Sequence, residues 1–204
     1  MKRWMALGAA AVAVAGAGIV TAERANADQD RVTAVLRDPG GARVGVVVFT
    51  ANRGTTVVAA ILQPNQYVAP SAFHGFHVHA NDNPSNGTGC VADAARPSST
   101  WFVSADAHFA GSGSVHPDHD GDMPSPLVNS DGVATLIFTT HRLRPSSLLG
   151  KAVVLHAGRD DFGNVPLGSG ADQYTANSPA AVAKTLMTGN SGDRVACGVV
   201  VRQR

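Results

Sequence analysis

The stretch "RVTAVLRDPGGARVGVVVFTANRGTTVVAAILQ", residues 31–63, holds three apolar runs separated by two short polar segments. In residues 31–37 apolar and polar side chains alternate, which is the pattern of a strand with one face toward a core. The segments "DPGG" and "NRG" consist of residues that favour tight turns. The sequence therefore predicts an antiparallel meander of three strands at the start of the fold.

Later segments have the same strand character, and they read "HGFHVHA" (74–80), "GVATLIFTT" (132–140), "KAVVLHA" (151–157) and "VACGVVVRQ" (195–203). A short helix is expected only within "SPAAVAKTLM" (178–187). With 204 residues and 44% hydrophobic content, the chain can bury one core. We expect an all-β domain with two long loops, over about 81–130 and 158–193, and loops of that length are usually functional or disordered.

The N-terminus has the organisation of an export signal. Lys2 and Arg3 precede the apolar run "WMALGAAAVAVAGAGIV", and the small residues "ANA" follow at 25–27. This pattern predicts a signal peptide over residues 1–27 and a mature domain over residues 28–204. A membrane anchor is the alternative, but the run is short and rich in alanine and glycine. We expect export to the periplasm, the cell envelope or the extracellular space, with no membrane attachment after cleavage.

Charge and cysteine content narrow the functional classes. Without residues 1–27, which carry three basic residues and one acidic residue, 13 basic and 14 acidic residues remain. This near balance indicates neither nucleic acid nor an anionic membrane as a partner. Cys90 and Cys197 are the only cysteines. Outside the cytosol such a pair is most simply a disulfide, with two free thiols as the alternative.

Histidines are concentrated in a few places. His77 and His79 lie two residues apart in a predicted strand, so both imidazoles face one side of the sheet. Neutral imidazole is a good ligand for copper and zinc. Histidines with a purely structural role would be the alternative, and the same holds for His156 at the end of a later strand.

A second cluster lies in the first long loop. The spacing His116-x-x-His119-x-x-Asp122 places two imidazoles and a carboxylate at turn distance, which suits zinc. Asp118 and Asp120 leave open a calcium-like or merely solvated acidic loop. The neighbouring histidines argue against calcium, which prefers oxygen ligands.

Five motifs in order, "GFHVH", "AHF", "HDGD", "VVLHAGRDD" and "GDRVACGV", resemble the copper/zinc superoxide dismutase family. The resemblance implies a Greek-key antiparallel β-barrel or flattened sandwich. It also implies conversion of superoxide to oxygen and hydrogen peroxide by a histidine-bound copper that is alternately reduced and reoxidised, beside a structural zinc. Family members form dimers, so a homodimer is possible, and "TTVVAAILQP" (55–64) is one candidate surface.

The resemblance also assigns roles to single residues. The copper ligands it implies are His77, His79, His108 and His156. The zinc ligands it implies are His108, His116, His119 and Asp122. His108 would bridge the two metals and act as a general acid, and Arg194 would guide the anion. The carboxylate of Asp160 would connect a copper ligand with a zinc ligand without binding either metal. Cys90 would form a disulfide with Cys197.

Two departures from the family pattern qualify these expectations. Only Pro117 and Asp118 separate His116 from His119, and this part of the zinc loop is longer in familiar members of the family. If the shortened loop does not bind zinc, the nearest alternative is a copper-only enzyme. Met187 lies where a lysine is usual, so steering of the anion is expected to be weaker, with Lys184 and Arg159 as partial substitutes. Two further alternatives are a non-catalytic copper-binding module and a zinc hydrolase, the latter disfavoured because residues 28–204 contain no glutamate as a general base.

Overall fold

A computed structural model of the chain describes residues 31–111, 113–160 and 178–203. The eight strands in this part are β1 Arg31–Arg37, β2 Arg43–Asn52, β3 Thr55–Leu62, β4 Ala72–His79, β5 Leu127–Val128, β6 Ala134–Thr140, β7 Ala152–Asp160 and β8 Arg194–Arg202. Within the same described ranges there are two α-helices, α1 Pro145–Leu148 and α2 Pro179–Thr188. Three single-turn 3-10 helices cover Pro84–Asn86, Ser98–Thr100 and Val103–Ala105.

The strands form one sheet in the order β5-β4-β7-β8-β1-β2-β3-β6. Every pair is antiparallel, and the end strands β5 and β6 contact each other, so the sheet curls into a nearly closed barrel. The all-β prediction is confirmed, whereas the Greek-key path of the connections stays a prediction.

The predicted meander is confirmed in its register. Val47 of β2 lies opposite Ala34 of β1 and Ala60 of β3, and all three side chains are buried. This follows from the alternation in the sequence, because a one-residue slip would turn the apolar set outward. The predicted helix is also present, as α2.

Strand β4 differs from its neighbours because it is buried on both faces from His74 to His79. Phe76 and Val78 point into the barrel core. The alternate residues His77 and His79 point outward, where the loop that follows β4 covers them. That covering places a buried polar cluster on the outside of the barrel.

Some predictions concern residues that the structure does not describe. Residues 1–27 and residues 161–177 of the second long loop lie outside the described residues, as does the side chain of Asp160. Among the described residues, no helix has the length and apolar character needed to cross a membrane.

Candidate metal centre

Four imidazoles come together on the outer face of β4. His77 and His79 come from β4, and His156 comes from β7, its antiparallel neighbour. His108 arrives from the loop, which runs along β4 through backbone bridges between His79 and His108 and between His77 and Asp122. All four rings are at most 5% exposed, and each offers one nitrogen within 4.8 Å of the others.

One nitrogen on each of these rings is buried and has no hydrogen-bond partner among the described residues. The four atoms are His77 Nδ1, His79 Nε2, His108 Nε2 and His156 Nε2. Buried polar atoms without partners are rare in folded proteins and call for an explanation. A metal ion bound to the four lone pairs supplies one, because imidazole nitrogen is a good copper ligand.

In His79 and His156 the other ring nitrogen is held by a hydrogen bond to a backbone carbonyl. His79 Nδ1 lies 2.7 Å from the carbonyl oxygen of Asp106, and His156 Nδ1 lies 3.0 Å from that of Gly192. A carbonyl only accepts, so each Nδ1 carries the proton and each Nε2 keeps its lone pair. Such hydrogen bonds orient metal-binding histidines.

Electrostatics keep these rings neutral. Burial lowers the pKa of His77 and of His79 well below the ordinary value, and neighbouring imidazoles add to the effect. Burial likewise lowers the pKa of His156 to about 3, helped by the charges of His108 and Arg194. The rings are therefore unprotonated near neutral pH, as metal binding requires.

A second ligand set lies on the other side of His108. Its Nδ1 lies 2.8 Å from Asp122 Oδ1 and 3.3 Å from His119 Nδ1. Asp122 Oδ2 lies 3.1 Å from His116 Nδ1 and 3.3 Å from His119 Nδ1. Zinc bonds of 2.0–2.1 Å in a tetrahedron give ligand-to-ligand edges of about 3.3 Å. The four measured distances therefore match zinc. His108, His116 and Asp122 also form a group with His77 in which each residue offers one ligand atom within 4.8 Å of the others, and His119 is not in that group.

The charge on Asp122 also suits a cation. Burial alone would raise its pKa, but the hydrogen bond from His108 and the close imidazole of His116 bring the pKa below the ordinary aspartate value. His116 Nδ1 approaches Asp122 without hydrogen-bond geometry. Such a contact is expected when the lone pairs of His116 Nδ1 and of the Asp122 carboxylate both point at a shared metal position rather than at each other.

The shortened zinc loop is braced by a residue that sequence reasoning missed. Arg142, two residues after β6, donates from Nη1 to the carbonyl oxygens of Pro117 (2.9 Å) and His119 (3.3 Å). Its Nη2 lies 3.2 Å from Asp118 Oδ1. From α2, the carbonyl oxygen of Leu186 accepts a hydrogen bond from the His116 amide at 2.9 Å. The turn between the two histidines is thus fixed from both sides.

Arg194 is the first residue of β8 and lies beside the four buried imidazoles. Its Nη1 donates to the carbonyl oxygen of Phe102 and its Nη2 to that of Asp106, both at 2.7 Å. Burial lowers its pKa, yet a guanidinium stays charged at neutral pH. Its Nη2 and His79 Nδ1 share the Asp106 carbonyl as acceptor, which places the guanidinium beside that ring, and its charge lowers the pKa of His79 and His156.

The remaining sequence expectations have mixed outcomes. Cys90 and Cys197 form a disulfide with an S–S distance of 2.03 Å, which confirms that prediction. The side chains of Asp160 and Lys184 lie outside the described part, so their expected roles stay predictions. Arg159 is exposed and lines a cavity beside His116 and Asp122, and Met187 is 58% exposed.

Comparison with known proteins gives a consistent result. The sequence model of the family described as copper/zinc superoxide dismutase (SODC) matches residues 43–200. A Cu-Zn superoxide dismutase of Mycolicibacterium paratuberculosis is 34% identical over 193 residues, covering 91% of this chain and 79% of the relative. The corresponding protein of Mycobacterium tuberculosis is 30% identical over 177 residues, covering 83% and 69%.

Two further matches lie at a greater distance. An extracellular Cu-Zn superoxide dismutase of Brugia pahangi is 28% identical over 176 residues, covering 82% of this chain and 73% of the relative. A crystal structure of the clock protein EA4 superimposes with a TM-score of 0.59 at 24% identity, covering 85% of this chain and 95% of that one. The structural match supports the fold alone.

Proposed function

The chain belongs to the copper/zinc superoxide dismutase family, and on that premise we propose which of its residues carry out the dismutation of superoxide. In this reaction two superoxide anions and two protons give one oxygen and one hydrogen peroxide. The observation that carries the proposal is the set of four buried rings that each keep one nitrogen without a partner and that each offer one nitrogen within 4.8 Å of the others.

These nitrogens are proposed to hold copper, and they belong to His77, His79, His108 and His156. Copper held there would supply one-electron redox chemistry, which the reaction needs because one superoxide loses an electron and the other gains one. The low pKa of His77, His79 and His156 keeps their lone pairs available. The carbonyl partners of His79 and His156 fix ring orientation and tautomer.

His108 is proposed to move a proton at Nε2. Its Nδ1 faces Asp122, so the two nitrogens of one ring serve the two ligand sets. Because Nε2 has one lone pair, it would leave the copper site when it takes a proton, in the half-cycle that releases oxygen. It would then donate this proton to the departing peroxide, which makes it the general acid. The second proton comes from solvent.

Arg194 is proposed to dock superoxide beside the copper ligands. A guanidinium is planar and permanently charged, so it attracts and orients a small anion. Two backbone carbonyls take up part of its hydrogen-bonding capacity and hold it still. A small substrate cannot be selected by a shaped pocket, so local positive charge must contribute.

Zinc is proposed to be structural. The ligands are His108, His116, His119 and Asp122. Four protein ligands close a tetrahedral site and leave no open position for substrate. The contacts of 2.8–3.3 Å that Asp122 makes with the three histidines, and the 3.3 Å contact between His108 and His119, favour this over the copper-only alternative. The brace by Arg142 compensates for the short loop. A closed site also disfavours a zinc hydrolase.

Export is proposed as well, with residues 1–27 as a signal peptide and residues 28–204 as the mature domain. The disulfide supports an oxidising compartment. Mass spectrometry of the secreted protein should find a chain that begins near Asp28. A homodimer also stays a proposal, with the exposed side chain of Ile61 on β3 as one point of contact.

Reconstitution tests the function. The purified protein is loaded with copper, zinc or both, and dismutase activity is measured beside metal content. Activity is expected only with copper. His79→Ala should lose most copper and nearly all activity, whereas His141→Ala, at an exposed histidine, should lose neither. Full copper and full turnover in His79→Ala would refute the assignment, and a copper-loaded wild type without activity would favour a copper-binding module.

A further inference from the structure

Both carbonyl oxygens that hold Arg194 come from one short segment. The 3-10 helix Val103–Ala105 is flanked by Phe102 and Asp106, and the guanidinium donates to the carbonyl of each flanking residue. The position of the anion-guiding side chain therefore depends on the backbone conformation at these two flanking positions.

Both flanking residues have backbone angles that side chains disfavour. Phe102 has φ 55° and ψ 21°, and Asp106 has φ 66° and ψ −160°. The second combination belongs to a region populated almost only by glycine. A residue with a side chain stays there only when its surroundings hold it.

Different forces hold the two ends. The side chain of Phe102 is 2% exposed and packs in the core, so burial fixes it. Asp106 is held by its own carboxylate. Oδ2 accepts hydrogen bonds from the backbone amides of Asp82 (2.7 Å) and Asn83 (2.8 Å), and Oδ1 accepts one from Asn86 Nδ2 (2.7 Å).

The Asp106 carbonyl serves two functional side chains. It accepts a hydrogen bond from Arg194 Nη2 and another from His79 Nδ1, both at 2.7 Å. The second bond keeps the proton of His79 on Nδ1, so Nε2 presents its lone pair to the partnerless cluster. A rotation of this one peptide would release both side chains at once.

We propose that Asp106 is a positioning residue for the dismutase reaction, with a carboxylate that fixes the direction of its own carbonyl and thereby orients His79 and Arg194. The turn after β4, through Asp82, Asn83 and Asn86, is the anchor. This inference rests on the proposed roles of His79 and Arg194. It adds a side chain that contacts neither metal nor substrate and yet controls one ligand and the anion guide together.

Three substitutions separate positioning from charge. Asp106→Asn removes the negative charge beside Arg194 but keeps an oxygen that can accept from the anchoring amides. Asp106→Ala removes the anchor and leaves the disfavoured backbone angles. Asp106→Gly removes the anchor but tolerates those angles, because glycine adopts them readily. Asp131→Ala is the matched control, since this exposed carboxylate also accepts a backbone hydrogen bond, from Val133 at 2.9 Å.

The first readout needs no metal. Nitrogen-edited NMR of the metal-free, disulfide-bonded protein follows solvent exchange of the His79 Nδ1 proton and of the Arg194 guanidinium protons. Exchange should be at least about 10-fold faster in Asp106→Ala, because a buried hydrogen bond that opens more often protects its proton less. Asp106→Gly should lie between Asp106→Ala and Asp106→Asn, and Asp131→Ala should match the wild type.

The second readout is the kcat/KM of the copper- and zinc-loaded protein. Asp106→Ala should lose about 10- to 100-fold, the usual effect of removing a group that orients a metal ligand, with copper content retained. Asp106→Asn should stay within about 2-fold of the wild type or exceed it, since positioning survives and a negative charge is gone.

Wild-type exchange and wild-type kcat/KM in both Asp106→Ala and Asp106→Gly would overturn the proposal. If Asp106→Ala does not fold, Asp106→Gly alone decides by the same criteria. If protons exchange faster in Asp106→Ala and Asp106→Gly but the metal-loaded wild type has no dismutase activity, Asp106 still orients His79 and Arg194, and the proposed function is wrong. A loss of activity in Asp106→Asn equal to that in Asp106→Ala would show that charge, and not position, is what matters.

Discussion

Acidification of the metal-free, disulfide-bonded protein should lower its stability well before carboxylates titrate. Burial lowers the pKa of His156 to about 3 in the folded state, whereas an unfolded histidine titrates near 6.5. Between these values the unfolded chain binds a proton that the folded chain does not bind. The free energy of unfolding must therefore fall as the pH falls through this window.

The magnitude follows from the size of the window. One proton of difference is worth about 1.4 kcal/mol per pH unit. Between pH 7.5 and pH 5.0, His156 alone should cost about 2 kcal/mol. His77 and His79 add to this loss, because their pKa values are lowered in the same direction. Asp122, with a pKa below the ordinary aspartate value, contributes stability that is lost only below about pH 4.

Urea unfolding of the metal-free protein at pH 7.5 and pH 5.0 measures the effect. The wild type should lose at least about 2 kcal/mol between the two. The free energy of unfolding of His156→Gln should fall by about 2 kcal/mol less than that of the wild type, because the titration of this one histidine is removed. His141→Gln, at an exposed position, should lose as much as the wild type. A metal-free stability that is constant or rises on acidification, with His156→Gln identical to the wild type, would refute the reasoning.

Three further predictions concern charge and zinc. Arg194→Glu should lower kcat/KM by about 10- to 1000-fold, the range of charge steering for which superoxide dismutases are a standard example. Arg194→Lys should lose less, and stopped-flow rates of the wild type should fall with added salt. Asp122→Ala should lower zinc affinity more than about 100-fold, which removes about 2.7 kcal/mol of zinc-linked stability; calorimetric titration and thermal unfolding, with copper content unchanged, would check this. Arg142→Gln should weaken zinc about 10- to 100-fold, and unaltered zinc affinity would show that the loop needs no brace.

Much of the scaffold was predictable because strands leave a period-two pattern in the sequence. The run at 31–37 alternates apart from the outward-facing Val35, and β1 covers the same residues, Arg31–Arg37. The same period placed His77 and His79 on one face, where their ring centroids lie 6.3 Å apart. Strand β5 has only two residues, Leu127 and Val128, which is too short for any periodicity to appear.

The parts of the site that escaped prediction depend on backbone atoms or on distant contacts. The carbonyl oxygens of Asp106 and Gly192 orient two histidines, but any residue type has a carbonyl. Arg142 follows a strand and would ordinarily be taken as a solvated charge. Its partners Pro117 and His119 lie 25 and 23 residues away in the chain, and nothing in the local pattern reports contacts of that range.

Anomalous diffraction at the copper and zinc absorption edges, from crystals of the loaded protein, tests the central assignment most directly. We expect one copper peak within bonding distance of His77 Nδ1, His79 Nε2 and His156 Nε2, on the Nε2 side of His108. We expect one zinc peak on the Nδ1 side of His108, bonded also to His116, His119 and Asp122. A copper peak away from the four partnerless nitrogens, or a zinc-side position that stays without zinc when zinc is supplied, would contradict it.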